Sequence, residues 1–196
     1  MLKDIGIIKR ANKSSNAFDE YCWEYYNNEC MPSEYVELCW DAYRNCPFSG
    51  NNSLNGNIFE LIISSLLVKE NIKPMYLQAS VAFVPNVIYD IILYSSENYP
   101  ISLSLKTSLR ERYKQADLEA VALKYVHRKA ECYLLSLDEH EVQDVKNKIS
   151  TGDILGIDNV ICATTNEFDD FINNLKSKSF IKPEKIEIVA AKHIVE

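Results

Sequence analysis

The sequence predicts an α/β fold in which a mixed central sheet is flanked by helices and preceded by a helical N-terminal part. Three strand-like apolar runs follow one another between residues 75 and 106, and beyond them helix-like and strand-like segments alternate. Residues 14–46 instead carry apolar side chains at helical spacing. A chain of 196 residues, 47% of them hydrophobic, is long enough to bury one such core and short for two.

The N-terminal part is predicted to contain two helices. Apolar positions recur at helical spacing from Phe18 to Tyr25 and again from Tyr35 to Tyr43, with a Met-Pro-Ser break between the two runs. A turn-rich stretch at residues 47–57 follows and is the candidate internal boundary. We therefore expect a helical part at residues 1–56 and a core at residues 57–196, joined in one compact domain.

The core is predicted to begin with a strongly apolar helix that starts at Asn57 and ends before Pro74. The strands that follow are expected at residues 75–84, 87–94 and 101–106. Turn-forming residues separate the second strand from the third. These two strands should therefore form an antiparallel hairpin.

Beyond the hairpin, the pattern alternates between helix and strand. Helices are expected at about 109–129, 139–149 and 167–176, and strands at 132–137 and 160–163. Such alternation is typical of a mixed sheet covered by helices on both sides.

The net charge of −7 argues against a protein that coats nucleic acid nonspecifically, since affinity for phosphates comes from clustered lysine and arginine. A local basic cleft is still compatible with this charge. One segment concentrates basic residues: Lys106, Arg110, Arg112, Lys114, Lys124, Arg128 and Lys129.

The chain contains no apolar run of about 18 to 20 residues and no secretory layout at its start, so we expect a soluble cytoplasmic protein without membrane contacts.

Its six cysteines are widely spaced, which favours reduced thiols. The four N-terminal cysteines, Cys22, Cys30, Cys39 and Cys46, leave a structural zinc site open as an alternative, although their gaps are wider than the close pairs of zinc knuckles.

Two charged residues stand out because they interrupt or end apolar strands. Asp90 lies inside the run Val87–Leu93, where burial of a lone carboxylate is costly unless it is paired or binds a metal. Lys106 ends the next strand. On adjacent antiparallel strands, the two side chains could face one cavity.

Many nucleases place an acid on one strand and an acid-x-Lys triplet on the next, so that two carboxylates hold a divalent cation beside the lysine. Here the triplet is Ser104-Leu105-Lys106, and a serine hydroxyl cannot supply the second negative charge. The following helix carries Glu119 about three turns in. At a rise of ~1.5 Å per residue, Glu119 could reach back over the sheet if that helix packs antiparallel to the strand.

The segment around Lys106 resembles the EcoRII-like branch of the PD-(D/E)XK restriction endonucleases. That branch has a Lys-Thr start, an Arg-aromatic-basic-Gln core and a catalytic glutamate thirteen residues after the lysine. The matching positions are Lys106, Thr107, Arg112, Tyr113, Lys114, Gln115 and Glu119. Asp90 falls where the family has its first metal-binding position, and Glu60 resembles the accessory acidic position of the superfamily. The resemblance covers roughly residues 57–165.

This resemblance implies a restriction-endonuclease-like fold and a type II restriction endonuclease that hydrolyses double-stranded DNA with Mg2+. Asp90 and Glu119 would bind the metal, and Asp90, Lys106, Glu119 and Glu60 would form the catalytic set. The residues expected to contact DNA are Thr107, Arg110, Arg112, Lys114 and Gln115. A homodimer is implied by symmetric cleavage of palindromic DNA, and residues 1–56 are expected to read DNA or to make dimer contacts.

Other interpretations of these residues remain open. Asp90 can be a strand-end residue bonded to a backbone amide, Lys106 a member of an ordinary salt bridge, Glu119 part of a solvated helix face, and Glu60 an acid favoured by the dipole of its helix. The whole protein can be a noncatalytic DNA-binding protein on the same fold. It can also be a nuclease for branched or single-stranded DNA in repair or in a mobile element.

Overall fold

A computed structural model describes residues 1–184, and residues 185–196 of the predicted core lie outside the described part. The secondary structure is an α/β arrangement, as the sequence predicts. The helices are α1 (Lys13–Tyr21), α2 (Pro32–Arg44), α3 (Asn52–Lys69), α4 (Arg112–Val126), α5 (Glu139–Ser150) and α6 (Asn166–Ser177), with a 3-10 turn at Trp23–Tyr25. The strands are β1 (Met75–Ala79), β2 (Tyr89–Tyr94), β3 (Pro100–Leu105), β4 (Glu131–Ser136) and β5 (Asn159–Cys162).

The five strands form one mixed sheet in the order β1-β2-β3-β4-β5. The first three are antiparallel to one another, and β2 and β3 form the hairpin that the sequence predicts. Strands β4 and β5 continue the sheet in parallel with β3, because α4 and α5 return the chain to the same edge of the sheet each time.

Helices cover both faces of the sheet. Residues of α1, α2, α3 and α6 pack with Ile91, Leu93 and Leu103 in one hydrophobic cluster. Residues of α4 and α5 pack with Ile92 and Leu134 in a second cluster on the opposite face. The alternation of side chains along β2 and β4 therefore separates the two clusters.

The N-terminal helices share the first cluster with α3 and α6. Their position is fixed by polar contacts as well, since the buried carboxylate of Asp169 on α6 accepts hydrogen bonds from the backbone N–H (2.7 Å) and hydroxyl (2.8 Å) of Ser33 at the start of α2. An acid at this end of a helix also meets the positive end of the helix dipole.

Helix α3 starts earlier than the sequence pattern indicates. The side chain of Asn51 caps it by accepting hydrogen bonds from the backbone N–H groups of Ser53 and Leu54, so the first turn begins at Asn52 rather than at Asn57. The expected boundary after residue 56 thus falls within this helix. The start of α3 was not predicted from the sequence because the residues of its first turn are mostly polar and show no apolar periodicity.

All six cysteines are free thiols, and five of them are buried. No helix within residues 1–184 is both long enough and apolar enough to cross a bilayer.

Candidate active site

The candidate site lies where the regular sheet breaks between β1 and β2. Leu77 pairs with Ile91 and Ala79 with Tyr89, so Gln78 lies opposite Asp90. Leu77 and Ile91 belong to the α3 side of the sheet, whereas Ala79 and Tyr89 belong to the α4 side. Since neighbours two apart on a regular strand share a face, the alternation is broken at Gln78 and at Asp90. The backbone of Gln78 has a φ of 47°, which is rare for a non-glycine residue.

Asp90 is held by two donors from the end of β3. Its Oδ2 accepts a hydrogen bond from the backbone N–H of Leu105 (2.7 Å) and one from the Nζ of Lys106 (2.9 Å). The regular β2–β3 pairing ends at Ile91 and Leu103, so the carboxylate takes the place of a backbone carbonyl as acceptor for Leu105. The side chains of Asp90 and Lys106 are each only 14% exposed. The two charged side chains that the sequence places on adjacent strands are therefore in direct contact.

Glu60 approaches the same break from α3. Its Oε2 accepts a hydrogen bond from the Nε2 of Gln78 (2.8 Å). Burial, together with the negative charge of Asp90, raises the pKa of Glu60 to about 7, while the Gln78 hydrogen bond and Lys106 act in the opposite direction. At neutral pH this carboxyl can therefore hold or release a proton.

Glu60 and Asp90 share a cavity of about 320 Å3. Gln78 and Leu77 line it from β1, and residues of the N-terminal part close its other side. The remaining lining residues are Ile7, Asn12, Ser14, Asn57, Leu61 and Ser64. The acidic cavity is thus built from both parts of the chain.

Glu119 lies on the α4 side of the sheet. Its Oε1 accepts a hydrogen bond from the Nε2 of Gln115 (2.7 Å), and its backbone carbonyl accepts one from the hydroxyl of Tyr89 (3.0 Å). Glu119 and Ser104 line the same narrow cavity, of about 10 Å3. The Ser104 hydroxyl is buried and has no hydrogen-bond partner within residues 1–184. Glu119 and Ser104, the position where the strand lacks a carboxylate, therefore border one small cavity.

The donor set can be tested against a magnesium ion. Within residues 1–184, no group of three or more His, Cys, Asp or Glu side chains is arranged to hold a metal. Mg2+ nevertheless binds proteins through one or two carboxylates and completes its shell with water and substrate phosphate. Asp90 makes its two hydrogen bonds through Oδ2, and Glu119 makes its one through Oε1, so each retains a second oxygen as a potential ligand. Each carboxylate alone therefore fits an ion held by one protein ligand and water, and the two line different cavities on the two sides of the sheet.

The loop between β3 and α4 is held by Glu141, a residue that the sequence pattern did not single out. Its carboxylate accepts hydrogen bonds from the backbone N–H of Leu109 (2.5 Å) and the hydroxyl of Ser108 (3.1 Å), and it lies 3.8 Å from the Nε of Arg110. Glu141 comes from α5, more than thirty residues away along the chain, so no local spacing could reveal it.

The residues expected to contact DNA all lie on this loop or on the first turn of α4. The side chain of Arg110 is 86% exposed, Arg112 is exposed, and Thr107 is partly buried. Lys114 pairs with Glu111, and Gln115 donates to Glu119. Two exposed guanidinium groups, of which Arg110 pairs with Glu141, and two already engaged side chains therefore lie at the start of α4.

Comparisons with known proteins identify the fold. No protein-family model matches the chain, and no curated protein resembles it in sequence. Among solved structures, the restriction endonuclease PspGI in complex with substrate DNA superposes with a TM-score of 0.53 and 18% identity, covering 82% of this chain and 80% of that one. The type IIP restriction endonuclease Kpn2I superposes with a TM-score of 0.52 and 12% identity, covering 84% and 71%. The chain therefore has the restriction-endonuclease fold that the sequence predicts.

Proposed function

We propose that the protein is a Mg2+-dependent type II restriction endonuclease that hydrolyses phosphodiester bonds at a specific sequence of double-stranded DNA. The observation that carries this proposal is the Asp90–Lys106 pair, which lies beside the break between β1 and β2, in a fold shared with PspGI and Kpn2I. A carboxylate and an ammonium group held together at an irregular point of a sheet are suited to bind a cation and a phosphate side by side.

In the proposed mechanism, Asp90 and Glu119 would hold Mg2+. When bound, the ion supplies Lewis acidity and an acidified water molecule. The Nζ of Lys106 turns from Oδ2 of Asp90 toward the scissile phosphate, where its positive charge stabilises the developing negative charge on the phosphate oxygens. Lys106 also orients the attacking water by donating a hydrogen bond to it.

Glu60 would move protons at this site. Its raised pKa, about 7, lets Oε1 accept a proton from the attacking water at neutral pH, whereas an ordinary glutamate would be a weaker base. Gln78 keeps the carboxyl turned into the cavity through its hydrogen bond to Oε2. This role is accessory, because Glu60 contacts Asp90 and Lys106 only electrostatically.

DNA would be bound by the loop and first turn that precede Glu119. Arg110 and Arg112 have exposed guanidinium groups for phosphates or base edges. Thr107 and Lys114 add a hydroxyl and an ammonium group on the same side. Gln115 would act mainly by positioning Glu119, since it already donates to that carboxylate. A homodimer would present two such sites to the two strands of a palindromic sequence.

The direct test is cleavage of supercoiled plasmid DNA with Mg2+. We expect discrete products from the wild-type protein and a loss of about 100- to 1000-fold in rate for Lys106→Ala, since one charge-stabilising donor typically contributes two to three orders of magnitude. Lys129→Ala is the matched control, because Lys129 is exposed and lies beyond the end of α4. Unchanged cutting by Lys106→Ala would refute the assignment.

A second candidate function is that of a noncatalytic DNA-binding protein. It is favoured by the lack of a three-residue metal cluster within residues 1–184. Isothermal titration with Mg2+ or Mn2+ separates the two candidates, because a nuclease should bind the ion in an Asp90-dependent manner and a noncatalytic protein should not.

A further inference from the structure

Helix α4 carries large apolar side chains on the face opposite to its core side. Ala116, Ala120 and Leu123 are buried against the sheet. At 100° per residue, Leu118, Val121 and Tyr125 lie on the reverse side of the helix, and they are 70%, 39% and 86% exposed. A surface helix normally presents polar residues there, and a helix that is apolar all round is normally buried on all sides.

A fourth apolar side chain extends this surface. The Asp117 carboxylate accepts backbone hydrogen bonds from Leu155 (3.1 Å), Gly156 (2.6 Å) and Ile157 (3.3 Å), which ties their loop to α4. Leu155 is thereby held beside the helix with 78% of its surface exposed. We call Leu118, Val121, Tyr125 and Leu155 the outer stripe.

We propose that the outer stripe is the interface at which two copies of this chain form a two-fold dimer. The inference deepens the proposed function, because the dimer was expected from that function alone and is here assigned to a surface. Leu118 lies three residues before Val121, and Tyr125 lies four residues after it. In an antiparallel crossing of two α4 helices near Val121, Leu118 of each copy meets Tyr125 of the other, so the stripe is self-complementary.

The size and chemistry of the stripe fit this occupant. Its four side chains expose on the order of 500 Å2, toward the upper end of the apolar patches found on monomers. A standard interface buries about 800 Å2 on each partner, with an apolar core inside a polar rim. The stripe supplies such a core. DNA would require basic groups, and the stripe itself contains none.

Placement on α4 also links the interface to the proposed active site. Glu119 follows Leu118 directly and lies toward the sheet, so the two copies of Glu119 would flank the crossing without being covered by it. The dimer would in this way fix the distance between two cleavage sites.

Analytical ultracentrifugation of the full chain at roughly 100 µM tests the proposal. We expect twice the monomer mass for the wild type and monomers for Leu118→Glu combined with Tyr125→Glu, with a dimer Kd raised at least ~100-fold. Both side chains are largely exposed, so the charges should leave the fold of the monomer intact, and circular dichroism checks this. Met31→Glu is the matched control, since Met31 is 53% exposed at the start of α2 and should leave the dimer unchanged.

A cross-link supplies a second readout. Cys30 is the one thiol that is not buried, and Cys30→Ser removes it. On this background, Val121→Cys should form a disulfide-linked dimer under mild oxidation, and Met31→Cys should not. A wild-type protein that is monomeric, or a dimer that persists in the Leu118→Glu, Tyr125→Glu variant, would overturn the proposal. The proposal would also fail if this variant lost DNA binding without a change of mass, because the stripe would then be a DNA contact. Plasmid cleavage is scored separately, through Lys106→Ala, so a failed interface and a failed nuclease assignment are distinguishable.

Discussion

Asp90 acquires its role from the irregularity of the strand around it. A regular strand would place its carboxylate on one face of the sheet among apolar neighbours, where an unpaired charge is costly. The break opposite Gln78 instead turns it toward Leu105 and Lys106, which satisfy it, and toward the cavity that it shares with Glu60. The same break that solves the burial problem therefore creates the candidate site.

At the residue scale, the raised pKa of Glu60 predicts how the stability of the fold depends on pH. Its folded pKa, about 7, lies above its ordinary value of 4.5, so the folded state holds this proton more tightly than the unfolded state does. The stabilisation from that proton is complete below the unfolded pKa and is lost as pH rises toward 7. Glu60→Gln should therefore be more stable than the wild type at about pH 8 by ~1 kcal/mol after allowance for solvent screening, and nearly equal to it near pH 4.5.

Urea unfolding in metal-free buffer at these two pH values measures the effect. Glu29→Gln, at an exposed position, is the control and should show no pH-dependent difference. An equal change for Glu60→Gln at both pH values would contradict the raised pKa.

Ser104 and Glu119 line one narrow cavity, so substitutions at the two positions are expected to have linked effects on cleavage. If Glu119 supplies the carboxylate that Ser104 lacks, Glu119→Ala should lose at least ~1000-fold in cleavage rate. Adding Ser104→Asp to this variant should restore part of the lost activity, since it returns a carboxylate to the strand two residues before Lys106. Ser104→Asn has the same shape without the charge and should restore nothing. Cleavage rates of all the variants are measured on one DNA substrate. If both Ser104→Asp and Ser104→Asn restore activity, or if neither does, Glu119 is not the relocated metal ligand.

Among the elements, α4 depends on close contact with a loop. A Cβ added at Gly156 would lie 2.5 Å from the backbone N of Val121 and 2.6 Å from the carbonyl oxygen of Asp117, both of which are rigid backbone atoms. Gly156→Ala should therefore separate the loop from α4 and lower the free energy of unfolding by about 2–3 kcal/mol. Because α4 carries Glu119, cleavage should fall as well.

Gly56→Ala is the matched control for this substitution. Gly56 lies in α3 with open space around its Cα, so alanine should stabilise the helix by about 0.5–1 kcal/mol. Chemical unfolding of both variants gives the comparison. A Gly156→Ala protein as stable as the wild type would show that the loop and α4 can move apart at little cost.

The elements also show which parts of the fold the sequence could predict. Apolar runs located the five strands and the six principal helices of residues 1–184, because burial on one or both faces leaves a clear period in the sequence. The first strand was expected to reach residue 84 but ends at Ala79. Phe83 and Asn86, which lie beyond its end, have positive φ angles that interrupt a regular strand, and the residue type of Phe83 does not indicate such a backbone.

The candidate site was predictable to a similar degree. Asp90 and Lys106 were visible because each places a charge in or at the end of an apolar strand, and the hairpin indicated that they could face one cavity. Their direct contact comes from the structure. Gln78 and Glu141 were missed, since each acts through a partner that is distant in the chain, Glu60 and the loop at Leu109. Long-range pairing of this kind depends on tertiary packing, and a local pattern does not encode it.

For the molecule as a whole, charge would decide how DNA approaches the proposed site. The net charge is −7, and the proposed site itself contains the carboxylates of Glu60, Asp90 and Glu119. Without a divalent cation these groups would repel a DNA phosphate, which Lys106 and the loop arginines would attract under the proposed function. The cation would therefore be needed for tight DNA binding as well as for cleavage.

Removal of the Asp90 charge is therefore predicted to change DNA affinity in opposite directions with and without Mg2+. In EDTA, Asp90→Asn should bind duplex DNA more tightly than the wild type, because removal of one negative charge near a phosphate is worth about 1 kcal/mol, or roughly five-fold in Kd. With Mg2+ the order should reverse, since the variant loses a ligand for the ion. Asp170→Asn, at an exposed position of α6, changes the net charge equally and should shift Kd by less than two-fold in either condition. Fluorescence anisotropy of a labelled duplex measures all three proteins; equal gains for Asp90→Asn and Asp170→Asn would mean that overall charge, rather than the carboxylate at the break in the sheet, controls the approach of DNA.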